Sequence, residues 1–324
     1  MYKEELQRKN EEKLHKRFQQ DNVPMFIRKY FVNIGSKAGA LNYYGVIKDL
    51  LKWLMEEGVI NKTDIGEITP DDFYIVESED VTMYLRQREQ DGLSPTTLEV
   101  RKNIYSSFWR YLKRTKVCPV KDNIIADVSY RGISINNNLY KKLPTETQLK
   151  NMEVKIKRTA NDFTRIRNMI IFRVLKGSGI RETELAGLNV DDVFLDNEMP
   201  YIKILGKGKY REQETRQVYL TKDASDALSE WIEYRNNLKN VKAQEALFLN
   251  NRGNRLTEHN IQSIFKMYGD GISCHMLRHW YATVMTQAGG IAFAQQQLGH
   301  TSLNTTINNY ANGSYGMKDL LASM

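Results

Sequence analysis

The sequence predicts a mainly α-helical chain with one small antiparallel β-sheet, organised as an N-terminal helical domain and a C-terminal α+β domain. Three observations carry that prediction. Apolar residues recur at steps of three and four, as in Tyr43, Val46, Ile47, Leu50, Leu51 and Leu54, the spacing of a helix with one buried face. Residues 201–205 and 217–220 read instead as two strands joined by the polar loop GKGKYREQET. Between Cys118 and Leu143 the periodicity disappears, and Pro119, Gly132 and the run NNN at 136–138 mark a linker.

The elements follow in order. Residues 1–22 alternate charges with little apolar face and read as a charged helical arm, either solvated or bound to a partner. A helical domain then spans 23–117, with helices expected at 24–32, 40–57, 79–90 after the polar break TPDD, and 95–114 with Ser94 as its N-cap. The linker occupies 118–143, and the second domain runs over 144–324. It opens with helices at 145–158 and 162–176, followed by a short one at 181–188 after the Gly177 and Gly179 break. After the two strands, helices resume at 223–238, 258–267, 275–287, 292–298 and 303–309.

With 324 residues the chain is long enough for two domains that each bury a core. Lys and Arg number 47 against 39 acidic residues, a net +8 that suits a polyanionic partner. The balance is sharpest between Arg101 and Lys121, where seven basic residues occur with no acidic one. Tyr105, Phe108, Trp109 and Leu112 form a core stripe there, and Arg101, Lys102, Arg110, Lys113 and Arg114 around it are candidates for contacting phosphates. Two cysteines, Cys118 and Cys274, are too few for a disulfide framework and lack zinc-ligand spacing, which fits a reduced cytoplasmic setting. The N-terminus has no apolar core of a signal peptide, and no run of about 18 apolar residues occurs, so neither export nor a membrane span is expected.

Chemistry-bearing residues gather in the second domain. They lie in GIRETEL around Arg181, in CHMLRHWYAT around His275 and Arg278, and in GHTSLNTTINNYA, which places His300 ten residues before Tyr310. A phenol attacks a phosphodiester only where fixed cations absorb the charge building on phosphorus and a donor protonates the leaving oxygen. Arg181 opens a helix with Glu184 one turn later, so both project to one side. His275 and Arg278 are three apart and share a face, so an imidazole and a guanidinium can reach one anion together. Lys207 stands in the GKGK turn between glycines that admit a tight bend. His279 is expected to point elsewhere on its helix, and Leu277, Trp280 and residues 282–284 to pack.

The set, in the order Arg, Lys, His-x-x-Arg, His, Tyr, resembles the tyrosine recombinase family, also called the phage integrase family, from about residue 144 to Tyr310. The resemblance implies a helical core-binding domain followed by an α+β catalytic domain, closing around duplex DNA with the linker as hinge. It implies that Arg181 and Arg278 clamp the scissile phosphate and that Glu184 orients the neighbouring basic groups. His275 donates to the phosphate or acts as base, and His300 hydrogen-bonds the phosphate. Lys207, with Lys209 as the alternative in this long hairpin, protonates the leaving 5′ oxygen. Tyr310 is the nucleophile, with Tyr315 as the fallback, because the His-to-Tyr interval is one residue longer than the family usually shows.

The function so implied is a site-specific recombinase that cleaves and rejoins DNA through a 3′-phosphotyrosyl intermediate. The covalent ester stores the bond energy, so no cofactor and no metal are expected, and the sequence carries neither a P-loop nor a carboxylate cluster. Expected partners are double-stranded recombination sites, a tetramer of the chain on DNA, and an accessory directionality factor. Two alternatives stay open: a DNA-binding relative whose catalytic site has decayed, and a type IB topoisomerase or telomere resolvase.

Overall fold

The computed structural model describes residues 2–115, 118, 120, 122–130, 143–205 and 215–299. The chain divides into two compact units, residues 1–136 and 137–324.

The first unit is helical: α1 (Tyr2–Gln20), α2 (Met25–Val32), α3 (Lys37–Glu56), α4 (Ser78–Gln90) and α5 (Pro95–Thr115). Its core is aromatic. Tyr105, Phe108, Trp109 and Leu112 of α5 are fully buried, as their spacing predicts. Phe73 meets Phe108 and Trp109 edge-on with centroids 5.7 and 5.8 Å apart. Edge-to-face pairs contribute about 0.5–1.5 kcal/mol beyond area burial. The N-terminal segment departs from a solvated arm. Leu14 and Phe18, one turn apart, are both buried, and Phe18 packs perpendicular to Tyr44 with centroids 5.0 Å apart. Two apolar residues at that spacing are enough to fasten a helix whose remaining face is charged.

The second unit opens with α6 (Glu146–Lys157), α7 (Asp162–Ser178) and α8 (Glu182–Gly187). Thr145 caps α6 reciprocally with Gln148. The left-handed Gly179, φ 62°, ends α7, and a Cβ there would lie 2.3 Å from the Tyr281 ring. Next come β1 (Val193–Phe194), β2 (Tyr201–Ile204) and β3 (Arg216–Tyr219), which form an antiparallel sheet in that order. Ile202 pairs with Val218 and both are fully buried, while Ile204 pairs with Arg216 beside the hairpin. The helices α9 (Lys222–Asn236), α10 (Glu258–Tyr268) and α11 (Cys274–Leu298) complete the unit. Among the described residues no helix is long and apolar enough to cross a membrane.

Two differences from the sequence reading bear on the site. The sheet has a third strand, β1, whose two residues are too few to register as a pattern. The helices expected at 275–287 and 292–298 are joined in α11 without a non-helical break. Yet α11 does not run straight. In a straight helix residues 278 and 298 would stand about 30 Å apart, whereas Arg278 bonds the Leu298 carbonyl and Tyr281 clusters with Leu298. The chain therefore folds back between them.

Candidate active site

Arg181 occupies the N-cap of α8 in extended backbone geometry, so its side chain leaves the helix start instead of lying along it. Its main-chain N–H donates to Glu184 Oε2 at 2.9 Å, and its Nη1 donates to Glu184 Oε1 at 3.0 Å. Arg216, at the start of β3, grips the same carboxylate from its other side, with Nη1 to Oε1 at 3.2 Å and Nη2 to Oε2 at 2.9 Å. Glu184 is only 7% exposed. Burial pushes its carboxyl up, but the Arg216 and Arg181 guanidiniums outweigh burial and hold it at about 2. It stays ionised and holds two guanidiniums. Arg216 escaped the sequence reading, because an arginine opening a strand looks like any solvent-facing strand residue.

Arg278 is buried, 4% exposed. Its Nη1 donates to the Gly179 carbonyl and its Nη2 to the Leu298 carbonyl, both at 2.7 Å. One guanidinium thus ties the turn that precedes Arg181 to the end of α11 that precedes His300. His275 lies one turn before it. Burial, then the charges of Arg278 and Arg181, depress the His275 imidazolium below its ordinary range, with Glu182 opposing them. Arg181, His275 and Arg278 therefore sit within one electrostatic neighbourhood, although 94 residues separate Arg181 from His275 in the chain.

His279 corrects the expectation that it points away. Its Nε2 is 2.8 Å from His275 Nε2 and the two rings stand at 85°. The reason is the four-residue spacing, which puts both on one helix face. Leu277 and Ala282 are fully buried as expected, while Trp280 is half-buried under the Lys176 ammonium, 5.6 Å from its ring. Lys207 and its alternative Lys209, His300, Tyr310 and Tyr315 lie outside the described residues, as does the expected helix 303–309.

In the first unit the five candidate phosphate contacts separate into two groups. Arg101 is drawn inward to Asp49 and to the Tyr84 hydroxyl, and Lys102 donates to the carbonyls of Val128 and Tyr130 at 3.1 and 3.2 Å. The acids missing from the local run come from elsewhere: Asp49 on α3 for Arg101, and Asp122 for Lys113 at 2.8 Å. Arg110, Lys113 and Arg114 remain exposed on the last turns of α5. Among the described residues no group of three His, Cys, Asp or Glu side chains is placed to hold a metal ion. Cys118 and Cys274 are free and buried, and burial pushes both thiols up, which keeps them unreactive.

A helical unit followed by a unit of helices around a three-stranded sheet, with an N-capping Arg-x-x-Glu pair set beside a His-x-x-Arg helix, defines the class of tyrosine-type site-specific recombinases. Residues 145–316 match the phage integrase family, and the chain belongs to that family. Tyrosine recombinase XerC of Neisseria gonorrhoeae is 32% identical over 234 residues, covering 70% of this chain and 72% of the relative. XerC of Leptospira interrogans is 28% identical over 301 residues, covering 88% and 87%. Among solved structures, XerH recombinase bound to a palindromic difH substrate has a TM-score of 0.63 at 21% identity, covering 89% of this chain and 79% of that one. A lambda integrase dimer on a core site also has a TM-score of 0.63, at 12% identity, covering 90% and 96%. The solved structures share the fold, and the activity is that of the family, a tyrosine-type site-specific recombinase.

Proposed function

We propose that the protein recombines double-stranded DNA by the following division of labour. Arg181 and Arg278 bind the non-bridging oxygens of the scissile phosphate and take up the charge that grows on them. The Tyr310 oxygen attacks phosphorus and gives its proton to a base such as neutral His275. The phosphorus–5′ oxygen bond breaks, and the departing 5′ oxygen takes a proton from Lys207. The product is a 3′-phosphotyrosyl ester and a 5′ hydroxyl. Attack by the hydroxyl of a partner strand reverses the step, so bond energy is conserved without a cofactor. His300 supplies a further hydrogen bond to the phosphate.

The observation that carries this reading is the buried Glu184 carboxylate, which holds Arg181 beside the His275 and Arg278 pair. Exposed Arg110, Lys113 and Arg114 supply sequence-independent backbone contacts. Strand exchange between two duplexes requires four protomers, so a tetramer on DNA is the working assembly, in the cytoplasm, with a directionality factor acting from outside. A nicked suicide duplex tests the reading, since cleavage strands the protein covalently on DNA. Wild type should form that adduct and Tyr310→Phe should not. A wild type that binds the duplex specifically yet forms no adduct would instead be a DNA-binding relative with a decayed site.

A further inference from the structure

Arg216 stands where three separate parts of the site meet. Its guanidinium forks onto both oxygens of Glu184, the carboxylate that holds Arg181. Its Nε donates to the Gln297 carbonyl at 3.3 Å. On the strand ladder it pairs with Ile204, the last β2 residue before the hairpin that carries Lys207.

The end of α11 is fitted closely around this side chain. A Cβ on Gly299 would lie 2.9 Å from both Cζ and Nη1 of Arg216, so only a glycine lets the guanidinium lie this close to the main chain. Gly299 also takes the left-handed conformation, φ 63°, and is the residue before His300. The side chain of Gln297 is fully buried and accepts from the Tyr219 N–H at 2.9 Å, a second bond between β3 and this helix end. The adjacent Leu298 carbonyl belongs to Arg278. Two neighbouring carbonyls at a helix C-terminus, where the helix leaves acceptors unfilled, are thus each held by a different arginine.

We propose that Arg216 is a positioning residue for the recombination reaction. Acting through Glu184 it fixes the direction of Arg181, and through Gln297 and Gly299 it sets the point from which the chain departs toward His300. Its planar fork is what this demands: two parallel bonds to one carboxylate and a third, in the same plane, to a carbonyl. A lysine offers one flexible point charge and cannot satisfy all three. The proposal rests on the assignment of Arg181 and His300 to the phosphate.

The test uses the full chain and a nicked suicide duplex in single turnovers at saturating protein, with duplex Kd and thermal midpoint measured alongside. Arg216→Gln should slow covalent adduct formation by about 10²-fold, the scale of a misplacement of roughly 1 Å at a reacting group, with duplex Kd unchanged. Arg216→Lys should keep the fold and recover only part of the rate, so it carries the test if Arg216→Gln does not fold. Glu184→Gln combined with Arg216→Gln should be slower than Glu184→Gln alone by less than the loss Arg216→Gln shows by itself, because the Glu184 route is shared and the Gln297 and Gly299 route is not. A wild-type rate in Arg216→Lys and Arg216→Gln, or losses that multiply in the double variant, would overturn the proposal. Arg181→Ala separates the two levels of inference: if it too cleaves normally, the assignment of the phosphate clamp is what fails.

Discussion

His275 and His279 bring their Nε2 atoms within 2.8 Å of each other across one helical turn, with ring planes at 85°. At that separation one nitrogen must carry the proton and the other accept it, so the tautomer of each ring constrains the other. His275 is further kept neutral by burial and by the Arg278 and Arg181 charges. Its folded pKa is lowered, so the unfolded state binds the extra proton, and this group's contribution to stability is lost as pH falls below the unfolded value of about 6.5. A nuclear magnetic resonance titration should give a His275 midpoint below about 6.5, moving upward in Arg278→Gln. A wild-type midpoint above that value would contradict the assignment.

Glu184 acts in the same direction, in a more acidic window. Its carboxyl is held at about 2, below an ordinary 4.5, so the stabilisation is complete above pH 4.5 and disappears as pH falls toward 2. Glu184→Gln should flatten the acid limb of a stability-against-pH curve measured by urea unfolding. An unchanged acid limb would show that the carboxylate is not held by the arginines.

The two clamp arginines should behave differently outside catalysis. Arg181→Ala and Arg278→Ala should each lose about 3–4 kcal/mol of transition-state stabilisation, the scale of one oxyanion donor, while duplex binding persists. Arg278 is buried between two carbonyls, and leaving those acceptors unsatisfied should cost about 1–3 kcal/mol of stability besides. Arg181→Ala takes one of two guanidiniums from the buried Glu184 carboxylate, but Arg216 still holds both its oxygens, so its stability loss should be the smaller of the two. Adduct kinetics and thermal unfolding of the same two variants check both halves.

Charge neutralisation should also divide the basic run. Replacing Arg110, Lys113 and Arg114 with Gln should flatten the log–log salt dependence of duplex binding by about 0.9 for each phosphate the variant no longer neutralises. Replacing Arg101 or Lys102 should lower the melting temperature and leave the slope alone, because their partners are Asp49, Tyr84 and the carbonyls of Val128 and Tyr130. A triple variant with the wild-type slope would place α5 away from DNA.

Gly179→Ala should destabilise the second unit by about 1–3 kcal/mol, as overpacking does, because its Cβ would meet the Tyr281 ring at 2.3 Å in a left-handed backbone. Adduct formation should fall with it, since the Gly179 carbonyl orients Arg278. A variant of wild-type melting temperature would refute the close approach.

What the sequence made legible was local. The buried faces of α3 and α5 repeat within a few residues, and Arg181 meets Glu184 and His275 meets Arg278 at helical spacings. What it hid was long-range. Arg216 reaches Glu184 across 32 residues and Gln297 across 81, and no window along the chain contains either pair. Arg101 and Lys102 look like Arg110 in the sequence because their internal partners lie on other segments. The pairing of His279 with His275 was within reach, since four residues is a helical neighbour distance, but His275 also has Arg278 three residues on, and spacing alone does not rank the two.

The fold-back of α11 bears on the order in which the site is assembled. Bringing Arg278 to the Leu298 carbonyl closes a loop of 20 residues, whereas bringing it to the Gly179 carbonyl closes one of 99. In the chain-closure relation the longer loop costs about 1.4 kcal/mol more conformational entropy. The two limbs of α11 can therefore pair as a helical hairpin before α7 and α8 arrive, with Arg278 already anchored at one end. In that order Arg181 docks onto a cation and a histidine pair already in place.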